Sequence, residues 1–404
     1  MPKPIEVCLI AKYFSPTFSG AGERFRRYAP GLKERGINLT VWTLHQPGMP
    51  EHEMVDGGIA VHRIPIQANR DQLSFLLLQQ TAESFRKYGY QPDVLHLLHH
   101  STRGVPLLWK LRWFGLPSVI SLTMMPPQIS SPLSRLKLTL RNSYRFSPLS
   151  SVIVSSRTMA HRAAKQGVDS KLIEVIPNGV DLCRFSPLAG RQERERLRLQ
   201  LGFKPEDEII LFVGALRPRK GADVLIAAWG QMAGAFPRSR LVIVGPAYAA
   251  EEKKPLSHED REFSKKIENL VFSTPAPERI SRPGVADNVE QYMKCADVFV
   301  LPSNQEGMPN VLLEAMASGL PCVLTPFDGL SDDYGSAGGE YLLVERDTTA
   351  LANMLMDVLQ DDERRAQIGQ SARIWMERRM DVNASLDRMA QLYLHLAQVP
   401  KRKP

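Results

Sequence analysis

Glu306 and Glu314 bracket the segment Gly307-Met308-Pro309-Asn310-Val311-Leu312-Leu313. The first glutamate falls in a loop after the apolar run Asp297–Leu301, the second on a helix starting near Pro309. Proline is tolerated there because its missing N–H would be unpaired anyway. Eight fully helical steps would separate the two by about 12 Å. Carboxylates so far apart do not share a proton, but they can accept hydrogen bonds from hydroxyls at the two ends of an extended ligand. Between them, a helix N-terminus offers free N–H groups that favour phosphate. Ribose hydroxyls, a pyrophosphate and sugar hydroxyls in a row have this layout. The competing account makes Glu306 a helix cap and Glu314 a solvated charge, since acids are favoured near helix starts.

A second cluster is Val213-Gly214-Ala215-Leu216-Arg217-Pro218-Arg219-Lys220-Gly221, where a buried strand ends and three cations crowd a loop. Cations so placed suit a pyrophosphate and stabilise charge on a departing nucleotide without a metal; a solvated basic turn is the alternative. A third is Ser19-Gly20-Ala21-Gly22-Glu23-Arg24. Its small residues allow close backbone approach to a ligand. Phe25 occupies the last glycine position of a dinucleotide fingerprint, so a plain tight turn is an equal reading.

Positioning these clusters requires alternating strands and helices. In the first half, strands are expected at Ile5–Ala11, Asn38–Leu44, Ile59–Ile64, Val94–Leu98, Ser118–Leu122 and Ser151–Ser155. Helices are expected at Glu23–Arg35 (closed by Gly36), Leu107–Phe114 and Thr158–Gln166. Pro177-Asn178-Gly179-Val180-Asp181 is a turn, and Arg191–Arg198 a solvated helix near a domain border. The pattern then restarts with strands at Glu208–Val213, Arg240–Val244, Asn269–Phe272, Asp297–Leu301 and Cys322–Thr325. Helices are expected at Ala222–Ala235, Val289–Lys294 and Val311–Ser318, with a charged, less regular stretch over Tyr248–Lys266 and a helical tail from Thr349. The class is α/β: two Rossmann-like doubly wound parallel-sheet domains facing a central cleft, with ligands at the C-terminal strand edges. The expected division is 1–185, 186–375, and a segment 376–404 that returns to the first domain.

A chain of 404 residues suits about two domains. The four cysteines are scattered without metal-ligand spacing, so no structural zinc is expected. No apolar run approaches a bilayer span, which places the chain in the cytoplasm. The net charge of +8 admits nucleic acid, an anionic membrane face or an anionic substrate. No nucleic-acid module is visible, so no nucleic-acid partner is expected.

These elements, in this order over nearly the whole chain, resemble the family 4 retaining glycosyltransferases of the GT-B fold. The resemblance rests on the Gly20–Gly22 turn, Pro177–Asp181, the Gly214–Gly221 loop and the run from Ala296-Asp297-Val298-Phe299-Val300-Leu301-Pro302-Ser303 through Glu306 to Gly319-Leu320-Pro321. It implies a nucleotide-diphosphate sugar, UDP- or GDP-linked, held by the C-terminal domain through Gly214, Glu314, Gly307, Met308, Pro309, Asn310 and Val311. Glu306 would bind the transferred sugar and Lys220 the pyrophosphate. Transfer would retain anomeric configuration with no metal or other cofactor. The N-terminal domain would take a glycan, glycolipid or other glycoconjugate, as in building cell-surface polysaccharide. Ala215 stands where the family's basic loop usually has arginine; Arg217, ahead of Arg219, is expected to supply that cation. Thr123 stands where the family tends to place a histidine, and a hydroxyl can donate a hydrogen bond but cannot carry positive charge. Gly20, Ala21, Gly22, Thr123 and His99 are the candidates on the acceptor or sugar side. His96, His99 and His100 end a neighbouring strand, where hydrogen bonding alone is the commoner role.

Ser134–Phe146 alternates basic and apolar residues. As a helix, its stripe of Leu133, Leu136, Leu140 and Tyr144 is expected to face the core. The other reading lays it on an anionic membrane, peripheral at the inner face, where a lipid-linked acceptor would lie. Leu73–Leu78 could add apolar contact, and the tail Lys401-Arg402-Lys403 is too short to weigh. Two other activities fit the same sequence: a sugar-nucleotide epimerase of the same fold, and a sugar-nucleotide-binding protein without catalysis.

Overall fold

The computed structural model describes residues 3–17, 19–55, 57–246, 258–398 and 400. The chain divides into two compact units, Met1–Pro177 with Asn383–Pro404, and Asn178–Val382. The first contains β1 (Ile5–Ile10), α1 (Gly20–Glu34), β2 (Ile37–Leu44), β3 (His52–Val55), β4 (Ile59–Ile64), α2 (Arg70–Tyr88), β5 (Val94–Leu97), α3 (Val105–Trp113), β6 (Ser118–Ser121), α4 (Pro132–Phe146), β7 (Ser151–Val154), α5 (Arg157–Lys165) and β8 (Ile173–Val175). The second contains α6 (Arg191–Gln200), β9 (Glu208–Val213), α7 (Ala222–Met232), β10 (Ser239–Val244), α8 (His258–Ser273), β11 (Ile280–Gly284), α9 (Val289–Cys295), β12 (Val298–Leu301), α10 (Asn310–Ala317), β13 (Cys322–Leu324), β14 (Leu342–Leu343), α11 (Thr348–Gln360) and α12 (Asp362–Arg379). Helix α13 (Val382–Ala397) returns to the first unit.

The first sheet runs β3-β4-β2-β1-β5-β6-β7-β8, parallel except for the β3–β4 pair. The second runs β11-β10-β9-β12-β13-β14, all parallel. Each is wound in both directions from its first strand, so its switch point lies between β1 and β5, or between β9 and β12. Crevices for ligands open there, beyond the carboxyl ends of the strands. Every residue of β5, β6, β7, β12 and β13 is buried, as strands covered by helices on both faces require.

Four expectations change. The border falls at 177/178 rather than 185. The 178–182 turn belongs to the second unit because Val180 pairs with Asp381, its N–H donating to Met380 O at 2.8 Å. The returning segment begins at 383 rather than 376, since α12 packs on α10. A Cβ on Gly369 would sit 2.1 Å from Gly319 O, and Arg373 donates to the carbonyls of Leu182, Phe185 and Ala317. Asn269–Phe272 is helical, inside α8, because buried Phe263, Ile267 and Val271 recur every fourth residue. The strand there is β11. The earlier part of the Tyr248–Lys266 stretch and the basic tail 401–403 lie outside the described residues.

The fourth change concerns α4. Its core-facing side is Leu138, Asn142 and Phe146, and the stripe of Leu133, Leu136, Leu140 and Tyr144 is exposed. Asn142 faces inward because its amide donates to Gln166 O at 2.9 Å. Leu73–Leu78 lies in α2, which the sequence reading does not anticipate; Leu77 and Leu78 are core residues, so they offer no exposed contact.

Candidate functional site

In the second unit, β9 and β12 flank the switch point, and the loops leaving them carry the cations and the first glutamate. After β9, the loop tightens into a 3-10 turn at Pro218–Lys220 and closes with Gly221 at φ +71. A Cβ on Gly221 would lie 2.1 Å from Pro302 O, so only glycine lets the two loops touch. Asn304 N–H donates to Arg219 O at 3.0 Å. Arg346, arriving after β14, donates to Pro302 O at 3.0 Å and Pro218 O at 3.4 Å. Nothing in the local sequence around Arg346 signals this bridge.

The contact centres on Glu306, whose side chain is almost fully buried. Lys220 Nζ lies 2.6 Å from one carboxylate oxygen and Arg219 Nη1 3.1 Å from the other. Ser303 Oγ donates to the same carboxylate at 2.9 Å, and Thr325 Oγ1 holds Ser303 O at 2.9 Å. Burial pulls the Lys220 pKa below its ordinary value, with Arg219 and Arg217 adding to the pull and Glu306 opposing it. An ammonium in such a place is poorly hydrated and strongly drawn to a second anion. Arg217 is exposed on this loop. Of the two arginines weighed for the shifted cation, it is Arg219 that meets Glu306.

Helix α10 starts at Asn310 with Pro309 as its cap. The turn at 178 pins this start: Asn178 Nδ2 donates to Met308 O at 3.2 Å and Asn310 Oδ1 at 2.7 Å. Its backbone N–H meets Met308 Sδ at 3.2 Å. Tyr334 Oη donates to Gly307 O at 3.4 Å. Glu314, on α10, is 6% exposed, against the solvated charge of the bland account. The structure therefore brings Gly214, Lys220, Glu306 and Gly307–Pro309 to loops of one unit, with Asn310, Val311 and Glu314 on the helix α10 that follows. Ser303 and Tyr334 escaped the sequence reading. Ser303 stands three residues before Glu306, which is the signal that would have found it.

In the first unit, Ser19 caps α1 by accepting from Gly22 N at 3.3 Å. Gly20, Ala21 and Gly22 are thus the first turn of α1 and not part of the loop. A Cβ on Gly22 would lie 3.1 Å from Tyr13 O, so the close approach there is to the chain's own backbone. Thr123 and His99 are exposed beyond β6 and β5. His100 Nε2 bonds to Arg145 O at 2.9 Å.

His96 is fully buried, bonded to Tyr393 Oη at 2.6 Å on α13 and to Ser121 Oγ at 2.8 Å. Burial, and then the charge of Arg24, push its pKa down to about 3. As pH falls below the ordinary histidine value, the unfolded chain takes a proton that the folded chain refuses. The stability His96 guards is therefore whole above about pH 6.5 and shrinks by about 1.4 kcal/mol per pH unit on acidification. Urea unfolding from about pH 7 to about pH 5 should show at least this slope, since burial also pushes the His100 pKa down to about 4, and His96→Gln should flatten it by one proton. Equal slopes in the two proteins would exclude the assignment.

Two family profiles match the chain: Glycosyltransferase Family 4 over residues 18–184 and Glycosyl transferases group 1 over residues 193–375. A protein of Kineococcus radiotolerans named D-inositol 3-phosphate glycosyltransferase is 33% identical over 218 residues, 51% of this chain and 48% of that protein. An Escherichia coli protein named UDP-Gal:alpha-D-GlcNAc-diphosphoundecaprenol alpha-1,3-galactosyltransferase is 30% identical over 197 residues, 48% of this chain and 47% of that protein. In both cases the match spans about half the relative's length. Among solved structures, sucrose-phosphate synthase from Thermosynechococcus elongatus superposes with a TM-score of 0.78 at 24% identity, covering 97% of this chain and 99% of that one. That likeness speaks for the fold. With two parallel-sheet units of the GT-B kind and a profile match along each, the chain belongs to glycosyltransferase family 4.

Proposed function

We propose that the chain is a retaining, metal-independent glycosyltransferase. It moves a sugar from a UDP- or GDP-linked donor to a glycan, glycolipid or other glycoconjugate acceptor in building cell-surface polysaccharide. The observation that carries this reading is the pair of cations, Lys220 and Arg219, held on the buried Glu306 beside the switch point of the second unit. Lys220 and Arg219 are preorganised cations where a pyrophosphate would leave, the charge a divalent ion would otherwise supply. Arg217 on the same loop is a third cation for that group. Lys220 and Arg219 converge on Glu306. A phosphate competing for Lys220 leaves a Glu306 oxygen to accept from a sugar hydroxyl, and Glu314 takes the ribose hydroxyls. The Gly307–Val311 stretch supplies N–H groups to the phosphates. Thr123, His99 and the start of α1 belong to the acceptor side. The name of the Escherichia coli relative, which gives a UDP-sugar and a diphosphoundecaprenol-linked acceptor, supports the substrate classes. A lipid-linked acceptor would place the chain at the inner membrane face. No described helix is long and apolar enough to cross a membrane, so contact there would be peripheral.

Thermal-shift measurements with UDP-, GDP-, ADP- and dTDP-sugars test the reading. A ligand bound only by the folded state raises apparent stability by mass action. One nucleotide class should stabilise the protein, and Glu314→Ala should lose most of that shift. Two lost charge-assisted hydrogen bonds amount to roughly a hundredfold in affinity or more. A well-folded protein that no nucleotide sugar stabilises would overturn the donor assignment.

A further inference from the structure

Residues 94–168 contain ten Lys or Arg and no Asp or Glu, so the chain's excess of +8 resides entirely in this part of the first unit. Within it lie α3 and α4, packed against each other. On α4, Leu133, Leu136, Leu140 and Tyr144 follow at spacings of three and four and form one stripe. Lys137 and Arg141 run along one side of that stripe. On α3, Trp109 and Trp113 stand four apart on one face. These six large side chains each leave 47 to 67% of their surface exposed. A groove of about 640 Å³ joins the two helices, with Trp109 on one wall and Ser143 and Ser147 on the other. Those serines are three and seven residues past Leu140, so Trp109 stands beside the stripe.

Exposed apolar patches of this kind on a soluble fold mark an interaction surface. Its chemistry selects the occupant. Leucines supply apolar depth, and tryptophan and tyrosine suit the headgroup boundary. The lysines and arginines along these helices attract anionic headgroups and outnumber Asp169, an acid that lines the groove. A protein partner would need acids for these cations as well as an apolar counterface; a lipid surface offers both everywhere.

We propose that the exposed face of α3 and α4 docks onto an anionic lipid bilayer, with the leucine stripe and the two tryptophans entering the headgroup layer and Lys137 and Arg141 contacting lipid phosphates. The surface lies on the first unit and uses none of the residues assigned to the donor, so it stands or falls separately from the catalytic reading.

Flotation of the full-length protein with phosphatidylcholine vesicles, with and without phosphatidylglycerol, tests it directly. Binding should require the anionic lipid and weaken as salt screens the cations. Lys137→Gln/Arg141→Gln should lower partitioning roughly thirtyfold at low salt. Leu136→Gln/Leu140→Gln and Trp113→Ala should lower it at least about tenfold through lost apolar contact. All these positions are exposed, so the variants keep the core, and unchanged circular dichroism and melting check that. Three results would overturn the proposal: no flotation with anionic vesicles; flotation indifferent to the leucine and tryptophan changes; or a concentration-dependent dimer, without flotation, that the leucine changes dissolve. Heparin binding as tight as vesicle binding and equally blind to those apolar changes would reassign the face to soluble polyanions.

Discussion

Lys220→Met is expected to lower the turnover number by about 10²–10³ while moving the donor KM far less. The ammonium sits 2.6 Å from Glu306 in a buried pocket, where burial already disfavours its charge. Negative charge developing on the leaving phosphate is therefore worth more to it than the same charge in water. Methionine keeps the length and the apolar stem but removes the charge. Glu306→Gln should cost a similar factor, since it loses the acceptor for the sugar hydroxyl and leaves Lys220 and Arg219 with no carboxylate between them. Because both residues act through one cluster, the double variant should be much less impaired than the product of the single effects predicts. Steady-state kinetics with the donor found by thermal shift will decide. Turnover within about threefold of the parent for Lys220→Met would remove this cluster from the reacting charge.

Asp297→Ala is expected to destabilise the second unit by about 3–5 kcal/mol. The carboxylate precedes β12 at the amino edge of the sheet, at the other end of the strand from Glu306. It accepts from Arg194 and Arg198 at 2.7 Å each and from Ile209 N–H at 2.6 Å. Its side chain is 9% exposed and that of Arg198 is 7%. Arg198 is further committed to Cys295 O at 2.9 Å and Pro205 O at 2.7 Å. Removing Asp297 leaves a buried guanidinium without its counter-ion and an edge N–H without an acceptor. Burial pulls the Arg198 pKa below its ordinary value, and the charge of Asp297 opposes that pull. Urea unfolding followed by tryptophan fluorescence should register the loss. At temperatures where the variant remains folded, its donor-induced stabilisation should match the parent's. A loss under about 1 kcal/mol would mean that water replaces the pairing at little cost.

The amino-acid sequence by itself determined what depends on neighbours along the chain. Short apolar runs bounded by Gly and Pro carry the strands β1, β2, β5, β9 and β12. The Ser19 cap carries the start of α1, and the Gly and Pro that precede them bound α7 and α10. The seven residues between Glu306 and Glu314 place one acid in a loop and the other on a helix whatever the rest of the chain does. Two such alternations in a row, with their motifs, made the fold and the family legible. What only tertiary structure decided depends on residues far apart in sequence. Asn269–Phe272 reads as a strand until Phe263, Ile267 and Val271 are seen to share one buried face. Arg219 outranks Arg217 because the loop after β12 comes to it, and Arg346 ties those loops from some forty residues beyond Pro302. His96 is a buried anchor because Tyr393, 297 residues away, closes over it. On α4 both faces carry apolar side chains, so periodicity could not choose the inner one. The choice fell to Asn142 and its bond to Gln166 O, which rotates the helix and leaves the leucine stripe facing outward. A local pattern states which side chains share a face; which face is covered depends on where the remaining chain packs and which polar groups must be satisfied once it is there.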